Sequence, residues 1–234
     1  MIPLEQLIER RGGYLGMFRS REIHVTYGRI GMPIYVERQL TERPGEIGVT
    51  AAQFLSVPGI VTRSGPVATA IELRLRKINP DLAKRFRDFL KAAAELNPGE
   101  TAVFEIGSDP EMGESGYPVD KVVLVMLEEK QDAKAYTTNV TKGLNAALAT
   151  DHLAGSDGMI VTFLGIGTRN QPVPTARFLD ILFDAFPEDA GGGRVFIGLF
   201  EDWPKDFLES VIRDLDWVWD RRTESGLSGA IFSL

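Results

Sequence analysis

The sequence predicts an α/β protein, a three-layer α/β/α fold around a mainly parallel, mixed central sheet. Three observations lead there. Short apolar runs of strand length alternate with longer stretches whose apolar residues recur at helical spacing. The runs at 121–127, 159–165 and 194–200 are close to continuously apolar, as strands buried on both faces are. Glycine, proline and asparagine punctuate the joins.

The elements follow in order. Leu4, Leu7 and Ile8 predict a helix over Ile2 to Arg11, which Gly12 and Gly13 stop. Ile23 to Tyr27 alternates as a strand does. Pro44 and Gly45 make a turn, and Glu46 to Ala52 is expected as a short buried strand, followed by a loop rich in glycine and proline. Val67 to Lys77 reads as a helix ending before Asn79 and Pro80. Asp81 to Leu96 is a second helix, with Leu82, Phe86, Phe89, Leu90 and Ala93 on one face. Thr101 to Gly107 and Lys121 to Leu127 are strands, separated by a polar loop carrying Asp109, Glu111 and Glu114. That loop is expected to be solvated rather than metal-binding. Val140, Leu144, Ala147 and Leu148 mark a helix, and Met159 to Gly165 a buried strand. A helix over Pro174 to Phe186 and a strand over Arg194 to Phe200 come next. Phe207, Leu208, Val211, Ile212, Leu215 and Trp219 face inward from the last helix, with the three tryptophans Trp203, Trp217 and Trp219 expected as packing residues. No linker is evident, so residues 1–234 are expected as one domain, with a core of about 23–215 and short extensions at both ends.

Composition narrows the function. Hydrophobic residues make up 44% and charged residues 25% of the 234, a globular balance that excludes a mainly disordered chain. The net charge of −7 argues against duplex nucleic acid as the partner. There is no cysteine, hence no thiolate nucleophile, and the two histidines, His24 and His152, are far apart. No metal site and no cofactor are expected on that basis. No apolar run approaches the roughly 20 residues that span a bilayer, and the opening stretch has acidic residues where a leader would be basic. A cytoplasmic protein that engages no membrane is the expectation.

In a parallel α/β sheet, ligands sit beyond the carboxyl ends of the strands. Two stretches there carry phosphate chemistry. Gly165-Ile166-Gly167-Thr168-Arg169 follows a buried strand and opens a helix. Its glycines let the backbone approach a ligand, successive N–H groups can form an anion nest, and the helix dipole adds positive potential. The stretch is neither G-x-G-x-x-G nor a Walker loop. Val49 to Ile71 likewise runs from a strand end through a loop to a helix start, with Ser64 and Gly65 before Pro66 and Val67. Arg63 and Arg169, one on each loop, could grip a diphosphate in bidentate fashion.

In these residues, taken in order, the chain resembles macro domains, the modules that bind ADP-ribose. Val49-Thr50-Ala51-Ala52-Gln53 is similar to the family's V-N-A-A-N run, and Ser64 to Ile71 to its G-G-V-A-x-A-I helix start. Leu96-Asn97-Pro98-Gly99-Glu100-Thr101-Ala102 is similar to an L-x-x-G-x-A stretch. Gly165-Ile166-Gly167-Thr168, with Pro172 and Pro174, is similar to the G-I-G-T-G-x-x-G-x-P loop. The resemblance covers roughly Ile23 to Leu215, implies a macro-domain-like fold, and offers Phe200 as an aromatic that stacks on adenine.

The chain also departs from the pattern. Thr50 and Gln53 replace the two asparagines that help hold the distal ribose and the attacking water in hydrolytic members. Thr62-Arg63-Ser64-Gly65 replaces a glycine run, and Arg169 replaces a glycine. Gly28-Arg29-Ile30 stands where the family's G-D-I carries an aspartate that reads the adenine amino group, and arginine cannot accept that hydrogen bond. The resemblance therefore implies ADP-ribose, or a related nucleotide diphosphate, as ligand. Ala51, Arg63, Gly65, Val67, Gly165, Ile166, Gly167, Thr168, Arg169 and Phe200 would form its site. The alternatives are an ADP-ribosyl hydrolase, with Thr50, Gln53 or Asp202 orienting or activating water, and a degenerate fold that serves a protein partner.

Overall fold

The computed structural model describes residues 3–28, 51–58, 66–106, 119–128, 132–149, 158–164, 173–186 and 193–230. Residues 46–50 of the strand expected over Glu46 to Ala52, the stretch at 32–45, the acidic loop with Asp109, Glu111 and Glu114, and His152 lie outside them.

Helix α1 spans Leu4–Arg10 and buries Leu7. It ends at Arg11 in the left-handed region, φ 60°, and runs straight into strand β1, Gly12–Phe18. The sequence reading took the two glycines as a stop alone and missed this strand. β1 pairs antiparallel with β2, Arg21–Gly28. Arg19 and Ser20 join the two strands with φ of 46° and 62°. Positive φ at both central positions matches the twist of a two-residue hairpin, but neither residue is one that normally signals it. A tertiary contact holds the turn: the Arg19 guanidinium donates to the Phe186 carbonyl, and it also lies over the ring of its neighbour Phe18.

Strand β3 runs from Ala51–Pro58, so the expected strand end at Ala52 is moved six residues on. Helices α2, Pro66–Ile78, and α3, Pro80–Ala93, follow. Asn79 separates them as expected, its side chain accepting from the N–H groups of Asp81 and Leu82 at 2.9 and 3.3 Å, with Pro80 in the first turn. Glu72 on α2 ties the pair together through Arg87 on α3 at 3.1 Å, and also pairs with Arg76 one turn along its own helix at 2.6 Å. Then come β4, Thr101–Glu105, and β5, Val119–Leu127. Helix α4 is Ala133–Ala149, with Ala135 N–H capped by the Asp132 carboxylate at 2.7 Å. β6, Gly158–Val161, is shorter than its apolar run. α5, Thr175–Ala185, β7, Gly193–Phe200, and α6, Lys205–Ala230, complete the order.

Among the described residues the sheet has seven strands in the order β1-β2-β7-β6-β3-β5-β4. The five inner strands are parallel; β1 and β4, at the edges, are antiparallel. β5 shows why its run is continuously apolar. Val122, Leu124 and Met126 join the core under α2 and α3, while Val123, Val125 and Leu127 join the core under α4, α5 and α6. The helices therefore cover both faces, the expected three layers.

α6 is held to α5 by charge as well as packing. Arg222 bonds Asp180 at 3.1 Å and also engages Asp184. The hydrogen bond from Arg222 holds the Asp184 carboxyl below its ordinary range. Trp219 packs on Phe183 and so closely over Gly16 that a Cβ there would lie 2.6 Å from its ring. Trp217 departs from expectation: it is exposed, with the Arg221 guanidinium 4.3 Å from its ring centre.

Candidate functional site

Because β2, β7, β6, β3 and β5 are parallel, their carboxyl ends share one edge of the sheet. Gly28, Phe200, Val161, Pro58 and Leu127 stand at those ends. Both strand-to-helix connections singled out in the sequence, β3 to α2 and β6 to α5, leave from this edge. Thr50, Arg63, Gly65 and the run Gly165, Ile166, Gly167, Thr168 and Arg169 lie outside the described residues.

Register locates the others. Ala51 pairs with Gly158 and Gln53 with Ile160, and these pair with Arg194 and Phe196. Phe196 lies four residues before Phe200, roughly 13 Å at strand rise. Ala51 and Gln53 therefore stand in the amino half of β3, whose own carboxyl end is Val57 and Pro58, while Gln53 lies level with Ile160, one residue before β6 ends at Val161. β3 continues past Ala52, through the first residues of the stretch that its glycines and prolines mark as a loop. Val67, in the first turn of α2, packs against the core.

Phe200 and Asp202 are at the edge. Phe200 is half-buried, and its ring meets Trp203 edge-on, with centroids 5.2 Å apart and planes at 78°. Trp203 in turn meets Phe163 at 5.6 Å and Phe207 at 5.0 Å. The turn between them is closed by Trp203 N–H donating to the Phe200 carbonyl at 3.1 Å. Asp202 is exposed within that turn. Glu201, which the sequence reading passed over, donates its N–H to the Gly28 carbonyl at 3.0 Å, and its carboxylate accepts from Arg11 Nη1 at 2.8 Å. No local pattern marks this pair, because 190 residues separate them.

The chain leaving β6 is anchored before it reaches Gly165. The fully buried Tyr136 donates its hydroxyl to the Leu164 carbonyl at 2.6 Å. Burial pushes that hydroxyl far above the ordinary tyrosine range, so it stays a donor. Tyr136→Phe is expected to cost about 1–2 kcal/mol, because a buried carbonyl loses its partner. Urea unfolding checks this, and an unchanged midpoint would show that the carbonyl finds another donor. Beyond Leu164, Val173 is buried, and α5 takes an N-terminal hydrogen bond from Ala176 N–H to Asp214 on α6 at 3.2 Å.

A second polar cluster lies away from this edge, in the amino half of the sheet. His24 is buried, stacked on Phe196 at 5.1 Å, with Nε2 3.2 Å from the Glu22 carboxylate. Arg194 Nε is 3.7 Å from the same oxygen. No group of three or more metal-ligating side chains occurs among the described residues. No helix among them is long and apolar enough to cross a membrane.

No protein-family model matches the chain, and no curated protein does. Solved structures do. A macrodomain of Oceanobacillus iheyensis with MES bound is similar over 90% of this chain and 98% of its own, with a TM-score of 0.60 at 13% identity. The Oceanobacillus iheyensis macrodomain with ADP is similar over 90% and 97%, with a TM-score of 0.59 at 12% identity. A mutant of the Oceanobacillus iheyensis macrodomain with ADPR covers 89% and 99%, with a TM-score of 0.54 at 11% identity. The chain has the macrodomain fold, as the resemblance in its sequence implied.

Proposed function

We propose that this chain binds ADP-ribose or a related nucleotide diphosphate at the carboxyl edge of its sheet. One observation carries the reading: a macrodomain fold in which the two loops that the sequence marks for phosphate leave from the same edge as Phe200. Structures of that fold have been solved with ADP and with ADPR bound. In this reading the diphosphate lies between the Gly165–Arg169 stretch and the start of α2. Backbone N–H groups, Arg63 and Arg169 neutralise it, and the half-buried Phe200 ring stacks on the base. Helix dipoles and oriented amides suit an anion held by an otherwise acidic chain, since they attract charge locally whatever the net charge.

Calorimetric titration with ADP-ribose tests the reading, with AMP and ribose phosphate as comparisons. Micromolar binding of ADP-ribose is expected, weakened at least about tenfold by Gly167→Glu, which puts a side chain and a negative charge where the backbone must meet phosphate. No heat at millimolar ADP-ribose would overturn the assignment.

A further inference from the structure

We propose that the outer face of α2 and α3 docks an acidic segment of a partner protein, one that carries an apolar residue among its carboxylates. The two helices, Pro66–Ile78 and Pro80–Ala93, hold seven lysines and arginines against three acidic residues, a net of +4. The whole chain carries −7, so everything outside the pair sums to −11. The helices also bring two guanidiniums together. Arg76 on α2 and Arg87 on α3 pair with the same oxygen of Glu72, at 2.6 and 3.1 Å. One carboxylate cannot neutralise two guanidiniums, each of which has five N–H donors. Both side chains are about half exposed, 53% and 49%, so donors remain to grip a second carboxylate in bidentate fashion. Lys77, next to Arg76, and Lys84, one turn before Arg87, are exposed as well.

Leu73 makes a protein segment the better fit among anions. It is 50% exposed and one turn before Arg76 and Lys77, so the three share a helix face. An apolar side chain between carboxylates would meet both kinds of surface. Single-stranded nucleic acid stacks its bases on aromatic rings, and these helices expose none: Phe86 is buried and Phe89 is half-buried against the core. A long phosphate backbone would also run past the patch into the negative remainder of the molecule. A bilayer surface needs a broad apolar face, whereas Leu73 is the one exposed large apolar side chain on α2 and α3 among the described residues. The patch is separate from the proposed ligand edge. Arg76 lies nine residues beyond Val67, about 14 Å along the helix axis, so the inference stands independently of the nucleotide-binding reading.

Fluorescence anisotropy on the full chain tests this with a labelled peptide of repeated Glu-Glu-Leu units. A Lys-Lys-Leu peptide, oligodeoxythymidine and phosphatidylserine vesicles serve as comparisons. The acidic peptide is expected to bind, and to bind more weakly as salt rises, because the charges it meets are exposed. Arg76→Gln with Arg87→Gln should weaken it by about tenfold, and Leu73→Ala by about threefold. Both arginines brace Glu72, so Lys77→Glu with Lys84→Glu supplies a second charge variant that leaves that pairing in place. It should weaken binding at least as much, with circular dichroism showing that the variants stay folded. No binding of the acidic peptide at low salt would overturn the proposal. So would an affinity that survives both charge variants or Leu73→Ala. Tighter binding of the basic peptide, the oligonucleotide or the vesicles would overturn the choice of an acidic protein segment.

Discussion

A Phe178→Ala variant unfolds at a much lower denaturant concentration, with about 3–5 kcal/mol of stability lost. Phe178 is fully buried on the inner face of α5, and its ring lies 5.2 Å from that of Phe163. Removing it deletes one of the larger apolar surfaces in the core and leaves a cavity that a packed α5 cannot close. In a chain of 234 residues each kilocalorie moves the melting temperature by about 2–4 °C, so a shift of about 10 °C is expected. Phe178→Leu should cost clearly less, because most of the volume returns. Chemical denaturation of the two variants checks both. Equal losses would mean that ring geometry, not volume, governs the site. The position also matters for the proposed ligand edge, because Phe163 sits between Phe178 and Trp203. A cavity here loosens the aromatic support behind Phe200.

Gly143→Leu is expected to cost about 3 kcal/mol. Gly143 lies within α4, where alanine would ordinarily gain up to about 1 kcal/mol in helix propensity. Here a Cβ would stand 2.4 Å from Cγ1 of Val125 on β5, well inside van der Waals contact. The helix has come close to the sheet because nothing at this position holds it away, and larger side chains must push it off. Gly143→Ala is the sharper measurement of sign. A loss of stability shows that close approach outweighs propensity; a gain would show that α4 can shift without cost. Adding Val125→Ala should recover part of the loss, measured as a coupling energy between the two sites.

What the sequence offers toward the proposed site is chemistry rather than position. Glycines, arginines and strand-to-helix order mark the two phosphate stretches, because an anion needs close backbone and positive charge. At β3 the glycines and prolines that follow Ala52 mark a loop, yet the strand runs on to Pro58. Gln53, the first residue of that stretch, is instead paired on both sides, with β5 and β6. Pairing on two flanks satisfies the backbone whatever the side chain prefers. β1 was missed for a similar reason. Its glycines break a helix, and only the partner strand β2 shows that they begin a strand. Glu201 carries no signal at all, since what distinguishes it is Arg11, 190 residues away.

By itself, then, the sequence determined the α/β class, the helices with one apolar face and the inner strands. Those follow from periodicity, and periodicity is a local consequence of which side of an element must avoid water. Only the tertiary structure decided where β3 stops, that Arg19 and Ser20 could turn a hairpin, that Trp217 faces solvent, and that Arg11 meets Glu201 beside Phe200. Each of these depends on which distant groups the fold brings within a few ångströms, and hydrogen bonds and ion pairs act only at that range.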